Sequence, residues 1–258
     1  MMSVQRKALL ASLAVTALIA VSGTVDSGAA FAQQQPTFLY GKKISFDIFR
    51  SGSKIGTHTV EFAEDHDLLT VTAVTQIRIA FLFIPAYRFD YGSRETWIDG
   101  HLAEVTAKTD DNGKLSRVDA VAVGGRFKIK GPHGELVVDD VVFPTNHWNV
   151  AQVASNMVLN SITGQIAHVT VHAIATETVA TAHGSILADR FEYSGDLHDT
   201  HVWYDSAGRW VKLSFKAADG SWIEFRCAVC TASRSAGEVW TSRPKGHQTG
   251  KAKVTKAE

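Results

Sequence analysis

Alternation of apolar and polar residues dominates the chain from about residue 43 to residue 227. Successive side chains of a strand point to opposite faces, so this period of two predicts β-strands that bury one face. KISFDIFR (43–50) is one such run, and short turns such as Asp99-Gly100 separate the runs. Strands joined by short turns pair antiparallel, because parallel pairs need long crossovers. The pattern predicts a mainly β protein with about eleven strands in one strongly curved antiparallel sheet or open barrel.

One segment, PTNHWNVAQVASNMVLNSITG (144–164), departs from this alternation. Thr145 or Asn146 can cap a helix at its start, and Gly164 can end one. Its apolar residues recur at helical spacing: Val150, Val153, Ala154, Met157 and Val158. The sequence therefore predicts a single helix, at about 146–160, packed on the curved sheet.

The first 32 residues have the three parts of a secretory signal peptide. Arg6 and Lys7 precede an apolar run of about 15 residues, and Ala30-Phe31-Ala32 matches an A-x-A cleavage pattern. The run is shorter than the ~20 residues that a helix needs to cross a bilayer. We expect cleavage near Ala32, a periplasmic or secreted protein, and no transmembrane segment after cleavage.

The rest of the chain divides into a body and a tail. Residues 33–231 contain no linker or recognisable repeat, and we expect one β-rich domain. The tail, 232–258, is basic and lacks a strong apolar pattern, so we expect disorder there. The body is mildly acidic, which argues against a nucleic-acid partner. Contact of the basic tail with an anionic surface is an open alternative.

Aromatic residues are concentrated in IAFLFIPAYRFDY (79–91). Every position from Ala80 to Ala86 is apolar, so both faces of a strand here would be apolar, which half-exposed strands avoid. One interpretation is a pocket or rim for a lipid-like ligand at the barrel mouth. The other is a core strand pair bent at Pro85. The candidate ligand-binding residues are Phe81, Phe83, Tyr87, Phe89, Tyr91, Trp97 and Trp148.

Glu95 is the first candidate for acid–base chemistry. It shares a strand face with Tyr91 and Trp97, and a buried carboxyl with a raised pKa can act as an acid or a base. The alternative is a structural ion pair with Arg94 or Arg88.

The run GDLHDTHVWYD is the second candidate, because it concentrates acidic and histidine side chains. A metal site needs several donors to converge on one ion, whereas strand alternation puts His198 and His201 on opposite faces. Solvated hairpin residues are the simpler interpretation. The sequence also lacks a nucleophile elbow and a phosphate-binding loop, so it predicts no catalytic residue, metal or cofactor. The cluster comprises Asp196, His198, Asp199, His201 and Asp205.

The chain has two cysteines, Cys227 and Cys230, and export would place them where disulfides persist. In a fully extended strand their Cα atoms would be ~10 Å apart, beyond the ~7 Å that a disulfide tolerates. A bond therefore requires a turn at Ala228-Val229. A redox C-x-x-C would open a helix in a βαβ unit, and zinc would need further soft donors. We expect a local disulfide that ends the last strand, with free thiols as the alternative.

Several stretches resemble an uncharacterised family of exported bacterial domains of unknown function. They are YSGDLHDTHVWYDSAGRWVKLSFKAADGSWIEFRC, FDIFRSGSKIGTHTVEF, RETWIDGHL and PTNHWNVAQV…ITGQ. The resemblance covers about residues 43–227 and implies an exported, curved antiparallel sheet with a helix. That shape is similar to the periplasmic lipoprotein carriers of the LolA/LolB type. The shared motifs are turns, core aromatics and strand pairs, so they imply no catalytic residues.

These features favour a non-enzymatic periplasmic protein that binds an apolar or amphipathic ligand in a curved β-sheet. Its partner would be a lipid-like small molecule or an envelope protein. Two alternatives remain. One is an envelope hydrolase or modifying enzyme that uses Glu95 or the Asp196–Asp205 cluster, and the other is a structural or assembly protein of the cell envelope.

Overall fold

Strands make up most of the computed structural model, which describes residues 36–82, 84–139 and 142–230 and the backbone of 254–256. The predicted signal peptide and nearly all of the predicted tail lie outside the described residues. A short helix, α1 (Pro36–Tyr40), precedes the first strand. The strands are β1 Lys43–Arg50, β2 Ser53–Asp65, β3 Leu68–Phe81, β4 Ile84–Ile98, β5 His101–Asp111, β6 Lys114–Val123, β7 Arg126–Gly131, β8 Gly134–Val138, β9 Phe143–Pro144, β10 Met157–Leu159, β11 Ile166–Thr181, β12 Gly184–Gly195, β13 Thr200–Asp205, β14 Trp210–Lys216, β15 Trp222–Val229 and β16 Val254–Lys256.

In the described residues these sixteen strands form one sheet, in the order β16-β8-β7-β6-β5-β4-β3-β2-β1-β15-β14-β13-β12-β11-β10-β9. Neighbours pair antiparallel, apart from β9 and β10, which pair parallel. The pairing of β1 with β15 joins the two halves of the chain. The predicted class, a mainly β protein with one large curved sheet, is confirmed. The strand count exceeds eleven, partly because β9, β10 and β16 have only two or three residues and show no period.

The helix predicted at about 146–160 is wrong. Val150–Ala154 is a 3-10 helix, and the side chain of Asn149 caps it by accepting from the amide of Ala151. The chain then enters β10, whose three residues are all buried and pair with β9 and β11. Pairing with neighbouring strands therefore overrides the helical spacing of the apolar residues, since propensity is a weak determinant.

The connection between β8 and β11 fills the concave side of the sheet. Its residues Trp148, Met157 and Leu159 are buried in the main core together with inward side chains of β1 to β7 and β11 to β15. It also packs closely on β7, because a Cβ on Gly164 would lie 3.1 Å from the Cα of Gly131. Side chains thus occupy the interior, as in small closed sheets.

A second, smaller core lies on the opposite face of the sheet. Trp203 and Val211 pack there with residues from the far half of the β11–β12 hairpin, Val179, Ala188 and Ile186. A bulge between Ala173 and Ala175 reverses which side chains of β11 face the main core. Because β13 lies between the two cores, four of its six residues in succession are buried at its C-terminal end.

Cys227 and Cys230 form a disulfide, with their Cα atoms 5.7 Å apart. The predicted bond is confirmed, but the chain does not make the expected turn, because β15 continues to Val229. Instead, Phe46 of β1 lies opposite Cys227 while Ser45 lies opposite Val229, so one residue of β15 bulges. The bulge shortens the strand enough to bring the two cysteines together.

Replacing both cysteines with serine is expected to lower the free energy of unfolding by about 2 kcal/mol, because the bond closes a loop of only a few residues. The midpoint of urea denaturation would measure the loss. Thiol labelling of the denatured, unreduced protein is expected to detect no free thiol. Two reactive thiols would contradict the bond.

Candidate functional site

Glu95 is the centre of a buried polar network between β4 and the β8–β11 connection. The period of β4 turns its carboxylate to the inner face, where it is 0% exposed. Three N–H groups donate to it: Trp97 Nε1 at 2.8 Å, Trp148 Nε1 at 3.0 Å, and Asn146 Nδ2. Burial raises the pKa of Glu95, and these hydrogen bonds oppose that rise only in part.

The alternative ion pair of Glu95 with Arg94 or Arg88 is wrong. Arg88 instead pairs with Asp90 and Asp110 on the outer face. Arg94 is exposed and donates to the hydroxyl of Thr70 at 3.4 Å. The period of two explains this outcome, since even-numbered residues of β4 face away from Glu95.

Tyr91 extends the network along the inner face of β4. Its hydroxyl donates to Asn146 Oδ1 at 3.1 Å and lies 2.7 Å from the hydroxyl of Ser161. Asn146 Nδ2 also donates to Ser93 Oγ at 3.2 Å. Burial raises the pKa of Tyr91 to about 12, so the hydroxyl stays protonated. The connection is therefore tied to β4 by buried hydrogen bonds at both Asn146 and Ser161.

His147 makes a separate set of contacts. Gln152 Nε2 donates to His147 Nδ1 at 2.8 Å and to the hydroxyl of Tyr204 at 2.8 Å, and that hydroxyl donates to the carbonyl of His147 at 2.9 Å. Burial lowers the pKa of His147 to about 4, which keeps the ring neutral and Nδ1 free to accept. Its φ of 58° lies in the left-handed region, which non-glycine residues adopt rarely.

A second neutral histidine, His58 of β2, lies nearby. Its Nδ1 is 2.7 Å from the hydroxyl of Thr75. Burial, followed by the proximity of His147, lowers the pKa of His58 to about 3. Both imidazoles contact the ring of Trp210, with centroids 5.5 Å and 5.8 Å away. The interior thus holds two uncharged histidines among aromatic rings.

This geometry makes Glu95 an anchor for the connection. A carboxylate with no solvent exposure and three donors cannot reach a substrate in this structure. It is the acceptor for two buried indoles and shares the amide of Asn146 with Ser93. Because Trp97 and Trp148 pack edge to face at 5.3 Å, the same contacts fix the aromatic core.

Five of the seven candidate ligand residues have described side chains, and these separate into two groups. Tyr91, Trp97 and Trp148 are buried within the network, while Tyr87 and Phe89 are half-buried near the end of the β3–β4 hairpin. Contact of any of them with a ligand stays a prediction. The side chain of Phe81 and the whole of Phe83 lie outside the described residues.

Exposed apolar side chains mark the tip of the β3–β4 hairpin. Leu82 is 74% exposed and Ile84 is 68% exposed, and Pro85 and Ala86 beside them are exposed as well. Such exposure of a contiguous apolar segment is typical of a contact site rather than of ordinary surface.

The Asp196–Asp205 cluster does not converge. Asp196 accepts from the backbone amide of His168 at 2.9 Å, which fastens the end of β12 to β11. Asp205 accepts from the amides of Ala207 and Arg209 and from the Arg209 guanidinium, and so closes the β13–β14 turn. Within the described ranges, no group of three or more His, Cys, Asp or Glu side chains is placed to hold a metal ion.

The other members of that cluster are also separated. Asp199 lies 3.9 Å from the ammonium of Lys216, and His201 stacks on Trp222 on the outer face. His198 lies in the turn between β12 and β13 and faces the carbonyl of Gly195 at 3.3 Å. The aspartates at the two ends of the run therefore have structural roles in turns.

Sequence reasoning did not identify the residues that complete the buried network. Three of them lie in the run PTNHWNVAQV, where Asn146 looked like a helix cap. Most of the contacts join residues between 17 and 70 positions apart, which no local pattern reveals. The unidentified residues are His58, Asn146, His147, Gln152, Ser161 and Tyr204.

None of the helices in the described part of the chain has the length and apolar character to cross a membrane. Two depressions lie on the surface of the sheet. One, of about 310 Å³, lies on the outer face over Gly92, between Val74 and Lys108. The other, of about 350 Å³, lies between β11 and the outer face of β14 and β15.

Comparison with known proteins agrees with this architecture. The model of a family described as a domain of unknown function, DUF6134, matches residues 46–228. A crystal structure of a beta-barrel-like protein of the domain of unknown function DUF1849, from Brucella abortus, is similar in fold: the TM-score is 0.55, the identity is 12%, and the match covers 74% of this chain and 97% of that chain. No curated protein matches the sequence significantly. The chain belongs to the DUF6134 family of domains of unknown function.

Proposed function

We propose that the protein is a non-enzymatic, exported binding protein, and that its apolar contact site is the tip of the β3–β4 hairpin. Its ligand is an apolar or amphipathic molecule or an envelope partner. The observation that carries the proposal is the exposure of Leu82 and Ile84 within an unbroken apolar run. Location in the periplasm or outside the cell, after cleavage near Ala32, is part of the proposal and rests on the N-terminal sequence.

The rest of the geometry supports binding over catalysis. Glu95 is enclosed and bonded to neutral donors, and the carboxylates of Asp196 and Asp205 hold turns. The interior beneath the curved sheet is filled by the β8–β11 connection. At the tip of the hairpin, Leu82 and Ile84 are two positions apart in the sequence and are 74% and 68% exposed.

Substituting Leu82 with asparagine tests this proposal without unfolding the protein. Asparagine tolerates the left-handed φ of 48° at this position better than leucine does, so the free energy of unfolding is expected to stay constant or rise slightly. Binding of the apolar probe 1-anilinonaphthalene-8-sulfonate is expected to fall several-fold, as measured by its fluorescence enhancement.

Asn112 provides the matched control, because it occupies the equivalent left-handed position, with φ 52°, in the β5–β6 turn. Substituting Asn112 with serine is expected to leave probe binding unchanged. Equal probe binding by the wild type and the Leu82 variant would show that the tip is not an apolar contact site.

A further inference from the structure

The turn of the β3–β4 hairpin differs from the other two-residue turns of the described chain in the type of residue that it contains. Phe81 pairs with Ile84, and Leu82 follows β3 directly and begins the turn. Leu82 adopts φ 48°, a conformation that favours Asn, Asp or Gly and is unfavourable for leucine. The other two-residue turns contain glycine or a polar residue: Ser51-Gly52, His66-Asp67, Asp99-Gly100, Asn112-Gly113, Gly124-Gly125, Pro132-His133 and Ala182-His183.

Leucine therefore stands at a position where it strains the backbone and, at 74% exposure, gains little packing in return. Residues that strain the local backbone are concentrated at functional sites. The conflict indicates that this side chain is selected for a contact outside the molecule.

The hairpin also projects beyond its neighbours. The pairing of β2 with β3 ends at Ile77, and the pairing of β4 with β5 begins at Phe89. Of the described residues, 78–82 and 84–87 consequently form a two-stranded ribbon that pairs with neither β2 nor β5. Two-stranded ribbons are marginally stable alone in water, so an external apolar contact would stabilise this one.

No face of the ribbon tip is polar. Beyond the facing pair of Ile79 and Tyr87, every residue on both strands is apolar. Neither face of this part of the ribbon therefore has a polar residue. A groove on a protein partner would bury one apolar face and leave the other exposed to water. The hydrocarbon region of a bilayer would surround the tip and bury both faces.

A polar boundary lies immediately below the apolar tip. Arg78 and Arg88 face each other across the ribbon and pair with Asp90 and Asp110. Tyr87 donates its hydroxyl to Asp111 at 2.7 Å. Tyrosine and long cationic side chains at the border of an apolar segment are typical of the water–lipid interface.

The dimensions fit a shallow insertion. Leu82 lies four positions after Arg78 in the sequence, which corresponds to ~13 Å along a strand. That length passes the headgroup boundary, where interfacial segments bury ~5–10 Å, but it is far short of the ~30 Å hydrocarbon core. The unpaired strand edges need hydration, and they therefore limit the inserted part to the turn and its immediate neighbours.

We propose that the β3–β4 ribbon docks the protein on a lipid bilayer surface by inserting Leu82, Ile84 and Pro85 among the acyl chains of one leaflet. This inference rests on the proposed function, because it identifies the partner of the same apolar tip. Arginines and aspartates at the boundary nearly balance in charge, so the ribbon binds by its apolar side chains and shows little preference for anionic lipid.

The experiment uses the purified full chain, labelled with the fluorophore NBD through Leu82→Cys. The two native cysteines are bonded to each other and do not compete for the label. Vesicles of phosphatidylcholine, with and without phosphatidylglycerol, are titrated into the protein. The matched control carries NBD through Asn112→Cys, at the equivalent position of the polar β5–β6 turn.

We expect the emission of NBD at position 82 to shift to the blue and to be quenched by lipids brominated in the acyl chain, while NBD at position 112 does neither. The unlabelled double variant L82N/I84T, which keeps residues suited to a turn and a strand, is expected to bind phosphatidylcholine vesicles about a hundredfold more weakly, about tenfold for each side chain. Raising the salt concentration is expected to change this binding by less than about twofold.

Other results overturn the inference in distinguishable ways. If the tip binds the apolar probe but vesicles leave the emission at position 82 unchanged, the lipid partner is wrong and the proposed function stands. Capture of a purified envelope protein by the tip under the same conditions would identify a protein partner instead. If L82N alters neither probe nor vesicle binding, both proposals fail. Vesicle binding that depends on phosphatidylglycerol and is abolished by salt would also overturn the inference, since it would assign the contact to basic residues elsewhere.

Discussion

Replacement of Glu95 with alanine is expected to lower the free energy of unfolding by about 4 kcal/mol. The substitution removes the acceptor of Trp97, Trp148 and Asn146, all of them buried. A buried donor without a partner costs about 1–3 kcal/mol, and the lost side chain leaves a cavity as well. Urea denaturation followed by tryptophan fluorescence measures the change, because two of the reporting indoles lie in the network.

Glu104→Ala is the matched control, since this glutamate is exposed on β5 directly opposite Thr96 of β4. Its effect is expected to stay within about 0.5 kcal/mol. Glu95→Gln retains one oxygen acceptor and should fall between the two. An alanine variant at position 95 that is as stable as the control variant would refute the anchoring role of Glu95.

Acidification from pH 6.5 to pH 4.5 is expected to destabilise the protein through its two buried histidines. Burial lowers the pKa of His58 to about 3 and that of His147 to about 4, whereas histidine in the unfolded chain titrates near 6.5. Below pH 6.5 these histidines therefore bind protons in the unfolded state while they stay neutral in the folded state. The stabilisation is fully present above pH 6.5 and falls by about 1.4 kcal/mol per pH unit for each histidine.

Glu95 acts in the opposite direction. Its pKa is raised in the folded state, so its contribution to stability is fully present below the ordinary pKa of a glutamate and is lost as the pH rises through the folded value. Acidification thus stabilises the folded protein through Glu95 and destabilises it through the two histidines. Glu95→Gln is expected to make the acid-induced loss steeper.

Urea midpoints at a series of pH values measure this slope. His58→Asn, which can keep a contact with Thr75, is expected to remove about half of the acid dependence. His172→Asn, on the exposed part of β11, provides the comparison and should leave the slope unchanged. A slope that is identical in wild type and the His58 variant would show that His58 does not remain neutral in the folded protein.

The contacts of Glu95 and His147 give the β8–β11 connection a structural role, and the proposed function places the binding site at the hairpin tip instead. The hydrolase alternative would require Glu95 or the Asp196–Asp205 cluster to meet a substrate. The carboxylate of Glu95 is enclosed by its three donors, and the aspartates at the two ends of the cluster hold turns. The alternative of an assembly protein shares its contact site with the proposed function, because a protein partner would also use the apolar ribbon. Vesicle binding distinguishes these two.

The sequence predicts the environment of Glu95 better than it predicts that of the hairpin tip. The inward direction of Glu95 follows from the period of β4, because positions 91, 93, 95 and 97 share a face. The apolar run around Leu82 is equally visible in the sequence. The exposure of this run is not visible in the sequence, since the same run would suit a buried strand. The ribbon lies outside the sheet because the pairing of β3 with β2 ends at Ile77 and that of β4 with β5 begins at Phe89.

The segment from Val150 to Val158 shows the limit of periodicity. Its apolar residues fit a helix as well as a buried turn followed by a strand, and local propensity does not decide between them. Pairing of Met157–Leu159 with β9 and β11 does decide. The disulfide is an intermediate case: two cysteines three residues apart suggested the bond, and a bulge opposite Phe46 made it geometrically possible.

The sequence by itself determined the β class, the antiparallel pairing of consecutive strands and the inward faces, because alternation and short turns act over a few residues. The tertiary structure alone decided where the two ends of the sheet lie, what fills its concave side, and which aromatic residues meet. Glu95 contacts Asn146 and Trp148 across about 50 residues of chain. Contacts of that range depend on the curvature of the whole sheet, which no local pattern encodes.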